Sequence, residues 1–259
     1  MRFQNKTALV TGGNGGIGFA AAKLLIAEGA RVAITGRDAK KLDEAVAALG
    51  PNALGIQADL NDPAALDNVF KQVADAFGTL DVVFANAGIS GPTPLGGTTA
   101  EAFDLIVRTN LTAVFLTVQA ALPLMREGGS IVLNGSVMRE LGMPGSAAYS
   151  ASKAAVTGMA RVFAAELVQR GIRVNTVIPG ATRTTIWTRG ARAGATLDAT
   201  EKALAPSIPM ARLADPEEVA RAAVFLASDD ASGMTATEMV VDGGLLGARN
   251  GAPMYRAGS

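Results

Sequence analysis

Tyr149 and Lys153 are the pair in this 259-residue chain whose residue types and spacing best suit chemistry, and Ser136 lies upstream of them. Helix positions i and i+4 share a face, so the phenol hydroxyl and the ammonium can enter one cleft. A phenol with a reference pKa near 10 is a poor acid or base at neutral pH. A cation about 4 Å away, at an effective dielectric near 20, contributes roughly 4 kcal/mol, which lowers that pKa by about three before desolvation takes some back. Tyr149 is therefore expected to titrate near neutrality. The composition removes competing chemistries. With no His and no Cys the chain has no Ser-His-Asp triad, no thiolate nucleophile and neither of the commonest zinc ligands, so no metal is expected.

These side chains need a scaffold, and the pattern of the chain indicates which one. Short β-type runs at residues 7–11, 31–35, 53–57, 80–84, 130–134, 172–177 and 238–241 alternate with longer helix-period segments. That alternation predicts an α/β fold: a single-domain, Rossmann-type, doubly wound parallel sheet of seven strands with helices on both faces. Asp62-Pro63 and Asp215-Pro216 mark helix starts, and Asp215 with Glu218 makes a capping-box pair. Residues 1–246 read as one dinucleotide-binding and catalytic domain, and 247–259, rich in Gly, Ala and Arg, as a surface extension. The 23 basic and 23 acidic side chains give a formal net charge of zero, so neither nucleic acid nor an anionic membrane is an expected partner. Residues 1–5 carry no export signal and every apolar stretch is interrupted, by Arg108, Asn110 and Gln119 for example, so a cytoplasmic location is expected.

In a doubly wound sheet ligands sit at the carboxyl ends of the strands. The first strand is followed by Thr11-Gly12-Gly13-Asn14-Gly15-Gly16-Ile17-Gly18, opening a helix. Such a turn lets backbone N–H groups approach a pyrophosphate, which makes Gly12, Asn14, Gly15, Gly16, Ile17 and Gly18 candidate cofactor contacts. Two registers fit: Gly13, Gly15 and Gly18 match G-x-G-x-x-G, while Gly12, Gly16 and Gly18 match the wider G-x-x-x-G-x-G, and periodicity does not choose between them. Asp59-Leu60 and Asn86-Ala87-Gly88 place polar and small groups along the same edge, where turn roles would also explain them.

Together these residues resemble the short-chain dehydrogenase/reductase family, over residues 6–244. The loop at 11–18, Asp59, Asn86-Ala87-Gly88, Asn110, Ser136, Tyr149, Lys153, Asn175, Pro179-Gly180 and Val241-Asp242-Gly243-Gly244 carry the likeness. The resemblance implies a nicotinamide dinucleotide, hydride transfer between it and a carbonyl or alcohol, and the wider glycine register. It implies Tyr149 as proton donor or acceptor, Ser136 bonded to the substrate oxygen, Lys153 on the nicotinamide ribose, and Asn110 positioning a water that relays protons to Lys153. It also implies Asp59 at the adenine, residues 86–88 beside its ribose, and Thr184, after Pro179, Gly180 and Thr182, at the carboxamide. The chain departs from the family at Ala85, where a first Asn is common, and at Met234-Thr235-Ala236, where Ile-Thr-Gly is more usual.

Coenzyme choice turns on Gly36-Arg37-Asp38 at the end of the second strand. A carboxylate there would accept the ribose 2′-OH of NAD; Gly36 offers none, Arg37 suits a 2′-phosphate, and Asp38 reads as the cap of the next helix. NADP(H) is therefore expected over NAD(H), with Asp38 as ribose ligand the rival register. The substrate pocket is expected from Met138, Met143, Ile89, Ser90 and residues 185–210, which include Trp187. Met-rich walls favour an apolar carbonyl or alcohol. A 3-oxoacyl group on a carrier protein, met by Arg126 and Arg170, a sugar or polyol, and a non-catalytic dinucleotide-binding protein are the alternatives. Residues 185–210 read as an unstructured mobile lid. The segments 151–167 and 111–118, apolar nearly all round, predict a homo-oligomer, and the resemblance a homotetramer.

Overall fold

In the computed structural model, which describes residues 1–188 and 194–256, seven strands form one parallel sheet. They are β1 (Thr7–Val10), β2 (Arg31–Gly36), β3 (Ala53–Gln57), β4 (Leu80–Ala85), β5 (Met125–Asn134), β6 (Arg173–Pro179) and β7 (Glu238–Val241), in the order β3-β2-β1-β4-β5-β6-β7. The helices are α1 (Gly16–Ala27), α2 (Ala39–Leu49), α3 (Pro63–Phe77), α4 (Ala100–Val107), α5 (Ala113–Ala121), α6 (Ala147–Leu167), α7 (Leu197–Leu204) and α8 (Pro216–Ala227). Successive strand residues bury on opposite faces. Leu9 joins Val69, Val118 and Val156 under α3, α5 and α6, whereas Ala8 and Val10 join Leu25, Leu42 and Val224 under α1, α2 and α8. The winding reverses between β1 and β4, which leaves a crevice at their carboxyl ends.

Local chemistry sets the helix starts. The Asp62 carboxylate accepts from the Ala64 N–H at 3.0 Å ahead of Pro63, and Glu218 accepts from the Asp215 N–H at 2.8 Å. The structure moves other boundaries. β5 begins at Met125 rather than 130, because Met125 pairs with Leu80 before the register shifts and Ser130 pairs with Val82. β6 runs on through Pro179, whose place at the sheet's carboxyl end tolerates a missing N–H. α6 starts at Ala147, which puts Tyr149 in its first turn. Between α4 and α5 the helix continues without a break through a π-turn, Arg108–Thr112.

The lid segment is not unstructured: Thr185–Trp187 and Ala205–Ser207 are 3₁₀ turns and α7 is capped by Thr196, whose hydroxyl accepts from the Ala199 N–H. Residues 189–193 of that segment lie outside the described residues. Within the described part of the tail, residues 247–256, Ala252 is fully buried and Arg256 donates to the Pro209 carbonyl at 3.0 Å. No helix among the described residues is long and apolar enough to cross a membrane.

Candidate active site

The loop between β1 and α1 bears on the glycine register; a Cβ on Gly13 would lie 2.5 Å from Ile34 Cγ2, so the two registers differ at the remaining positions. Gly12 and Gly16 have φ of 65° and 53°, in the left-handed region. A Cβ on Gly18 would lie 2.5 Å from both Asn86 Nδ2 and the Gly12 carbonyl oxygen. Gly15, by contrast, is extended and has nothing within 4 Å of a Cβ. The narrower register would need a glycine at 15 for which the backbone has no use; the wider one has a physical reason at each position. α1 has no side-chain cap and no acidic residue in its first turn, so its N-terminal N–H groups and positive dipole end remain for an anion. This cradle fits a dinucleotide pyrophosphate.

At the end of β2 the Asp38 carboxylate accepts from the Lys41 N–H at 3.1 Å, which makes it the cap of α2, while Arg37 is exposed beside it. A Cβ on Gly36 would sit 2.6 Å from Cγ and Nδ2 of Asn14, so Asn14 fills the space over that strand end. Asp59 is exposed and accepts from the Asn61 N–H at 3.0 Å in an Asx turn, and Leu60 packs on the core.

The carboxyl ends of β1, β4 and β5 are joined by amides. Asn86 Nδ2 donates to the Thr11 carbonyl at 2.9 Å, and Asn134 Nδ2 donates to Asn86 Oδ1 at 2.9 Å. The Thr11 hydroxyl accepts from the N–H groups of Asn86 and Ala87, each at 3.0 Å. Asn86 thus braces the strand ends, and the exposed Gly88 forms the cleft surface beyond it. A Cβ on Gly88 would meet Asn110 Oδ1 at 3.2 Å and Lys153 Nζ at 3.7 Å, so both groups face the same short stretch of backbone.

Asn110 is fully buried on the π-turn. Its Oδ1 accepts from the Ile89 N–H at 2.8 Å, and its Nδ2 donates to the Ile89 carbonyl at 2.9 Å and to Ser152 Oγ at 3.2 Å. Lys153, 4% exposed, donates to the Asn134 carbonyl at 2.7 Å. Burial pushes its pKa down to about 8. Its Nζ lies 5.8 Å from the ring centre of the half-buried Tyr149. Ser136, nearly buried, caps the 3₁₀ turn Val137–Arg139 and accepts from the Met138 N–H at 3.2 Å. The structure thus brings Ser136, Tyr149, Lys153 and Asn110 to one edge of the sheet. A buried ammonium beside a phenol at the mouth of a cleft is an arrangement for moving a proton.

The outer wall follows β6. The Gly180 N–H donates to the Val241 carbonyl at 2.9 Å and the buried Thr182 hydroxyl to the Gly180 carbonyl at 3.1 Å. Thr184 lies across the glycine loop, its Cγ2 3.0 Å from where a Cβ on Gly16 would be. Trp187 donates its indole N–H to the Thr182 carbonyl at 2.9 Å, so it is tied to its own wall. Arg183 holds α7 through Asp198, at 2.9 Å, and Glu201. Met138 is half-buried in the turn after Ser136, and Met143 is 42% exposed. Arg126 and Arg170 lie near the other end of β5, at the edge of the sheet opposite this cleft. Arg170 donates to the Leu122 and Met125 carbonyls, and Arg126 to the Thr79 hydroxyl. They make no basic patch beside this cleft. The bracing roles of Asn134 and Arg183 have no signal in the sequence, because their partners lie well away along the chain and no local spacing marks them.

Residues 12–246 match the family described as enoyl-(acyl carrier protein) reductase. The chain is 46% identical to oxidoreductase asL5 of Sarocladium schorii, over 94% of this chain and 97% of that protein. It is 41% identical to a 3alpha-hydroxysteroid dehydrogenase of Mediterraneibacter gnavus, over 94% of this chain and 98% of the relative. A solved structure titled short chain dehydrogenase/reductase family protein superposes with a TM-score of 0.84 at 38% identity, covering 94% of this chain and 98% of that one.

Proposed function

The chain belongs to the short-chain dehydrogenase/reductase family and is an NAD(P)-dependent oxidoreductase, and from that premise we propose that it reduces an apolar ketone to a secondary alcohol, preferring NADPH. The observation that carries this reading is the placement of Lys153 beneath Tyr149, with its ammonium on the Asn134 carbonyl, at the strand end where Ser136 begins its turn.

Gly12, Gly16 and Gly18 with the start of α1 would hold the pyrophosphate, Arg37 the 2′-phosphate, and Thr184 the carboxamide; Asp59 and residues 86–88 would line the adenosine side. The bound dihydronicotinamide would supply the hydride. Tyr149 gives its proton to the substrate oxygen as that oxygen gains charge, and Ser136 donates a hydrogen bond to the same atom. Both interactions strengthen toward the transition state, and proton donation of this kind is typically worth about 10² to 10⁴ in rate. Lys153, protonated at neutral pH, favours the phenolate left on Tyr149 and passes a proton back. Asn110 pins Ile89 and Ser152 beside Gly88 and so places that relay.

For the coenzyme, the support is an exposed Arg37 at the end of β2 and an Asp38 already committed to α2. For the substrate it is the apolar Met138 and Met143 after Ser136. Homo-oligomerisation, as a tetramer, is supported by Phe115 and Val162, 41% and 54% exposed on α5 and α6. A panel of ketones and secondary alcohols followed by nicotinamide absorbance with NADPH and NADH tests the reading. Turnover of an apolar ketone with NADPH is expected, and no turnover of any carbonyl with either coenzyme overturns it. Light scattering that finds a monomer at micromolar concentration removes the oligomer.

A further inference from the structure

Ser136 and the Tyr149–Lys153 pair sit on separate elements, and their relative placement must be held by something other than local structure. The turn that carries Ser136 is fastened at its start, where the Gly135 N–H donates to the Val177 carbonyl at 2.8 Å, and by the buried Val137. Its far end is Arg139, whose N–H donates to the Ser136 carbonyl at 3.1 Å; beyond it residues 142–144 are exposed. The Arg139 side chain, 12% exposed, pairs with Glu238 and with the more exposed Glu140. Arg161 of α6 pairs with the other oxygen of Glu238 at 2.7 Å. Arg161 lies two helical turns beyond Lys153, about 12 Å along the axis. One carboxylate therefore joins the serine turn to the tyrosine helix. Glu238 is the first residue of β7, its backbone paired opposite Thr176 of β6. The fully buried Asn175 clamps its approach, donating to the Met234 carbonyl at 2.8 Å and accepting from the Thr237 N–H at 3.0 Å.

We propose that Glu238 is a positioning residue for the reaction, fixing the aim of Ser136 relative to Tyr149 through Arg139 and Arg161; this rests on the roles given to those side chains above. Removing the carboxylate leaves the enclosed Arg139 uncompensated, and the end of the turn moves to find another partner. A displacement of about 1 Å in a positioning group can cost about 10²-fold in rate. The glycine cradle, the end of β2 and Thr184 make no contact with this tether, so coenzyme affinity is independent of it.

The test is a double-mutant cycle on the full-length chain with Glu238→Ala and Ser136→Ala. It reads kcat and KM on an accepted ketone, the Kd of NADPH by fluorescence and the melting temperature. Glu238→Ala is expected to lower kcat by about 10- to 100-fold with the Kd of NADPH within about twofold, and to have no further effect on kcat once Ser136 is Ala. Glu238→Gln, which keeps an acceptor oxygen for one arginine and turns an amide N–H₂ to the other, is expected to show the same non-additivity at smaller size and serves if the Ala variant folds poorly. Arg139→Met should reproduce the loss and Arg139→Lys restore most of it. An equal kcat loss in both Ser136 backgrounds, a parallel loss of NADPH binding, or no loss at all overturns the tether alone. A silent Ser136→Ala brings down the reading of Ser136 and the tether with it.

Discussion

Asn134 meets Lys153 through its backbone and Asn86 through its side chain: the carbonyl takes the ammonium at 2.7 Å while the amide nitrogen donates to Asn86 Oδ1 at 2.9 Å. The lysine is thereby mounted on the residue that ties β5 to β4, and its position follows the sheet rather than the flexibility of its own four-carbon stem.

Tyr149→Phe is expected to lower kcat by at least about 10² while leaving the Kd of NADPH near its original value, because only proton transfer is removed. Lys153→Ala is expected to damage both. Steady-state kinetics with coenzyme titration checks this, and wild-type turnover by the Phe variant across neutral pH would exclude the acid role of Tyr149.

The burial of Lys153 has two pH signatures. Reduction needs the ammonium charged, so kcat should fall as pH rises through about 8. Stability moves the other way. The folded pKa lies below the reference value of 10.5, so between about 8 and 10.5 the unfolded chain binds more protons and folding gains stability with rising pH. Lys153→Met lacks that gain, which is on the order of 3 kcal/mol at most. Urea midpoints of the two proteins should therefore differ in the variant's favour at pH 7 and converge by pH 10; a constant difference contradicts the shift.

Arg37→Leu is expected to reduce kcat/KM for NADPH by roughly 10- to 150-fold, the size of a charge-assisted contact of about 1.5 to 3 kcal/mol, and to spare NADH. Placing a carboxylate at residue 36 to recruit NADH requires more than Gly36→Asp, since its Cβ would meet Asn14 at 2.6 Å. The combination Asn14→Gly, Gly36→Asp and Arg37→Leu is expected to invert the preference. A wild-type enzyme with higher kcat/KM for NADH refutes the placement of Arg37 at the phosphate.

Arg183 links the wall that carries Thr182 and Thr184 to α7 through Asp198 and Glu201. Arg183→Ala should speed amide hydrogen exchange in residues 197–204 and raise the KM for coenzyme. Exchange there should slow when coenzyme binds the wild type, and equal rates with and without it argue against gating.

Ala236 occupies the left-handed region at φ 56°, with its N–H on the Val174 carbonyl at 2.7 Å. A residue with a Cβ costs about 1–2 kcal/mol there, only part of which glycine returns through its freer unfolded chain. Ala236→Gly is expected to add about 1 kcal/mol, seen as a melting point higher by roughly 2–4 °C with unchanged kcat. A lower melting point would contradict the strain.

Much of this architecture is written locally. Strands 53–57 and 238–241 have the bounds that periodicity predicts, and Asp38, Asp62 and Glu218 cap as their spacing to the next helix implies. The beginning of β5 is hidden because residues 126–128 are exposed, and the lid helix because residues 197–204 bury no residue fully. What favours the wider glycine register, the left-handed backbone at Gly12 and Gly16 and the open space around Gly15, is a property of the folded loop that residue spacing does not carry. The tether at Glu238 is illegible for the same reason: nothing near Arg139 in sequence announces a carboxylate on the edge strand.

The π-turn at Arg108–Thr112 has one further meaning. Its hydrogen bonds reach one residue farther than those of an α-helix, so it acts as a single inserted residue within an otherwise continuous rod from α4 to α5. Closing it to α geometry would turn everything on one side by about 100° relative to the other. Ile106 and Val114 can both be buried, and Asn110 can still grip both backbone groups of Ile89, because the phase is reset between them. Deleting Thr112 alone would leave the net charge unchanged, yet it would swing the amide of Asn110 away from Ile89. At this point the cleft depends on how many residues the chain has, and not only on which ones.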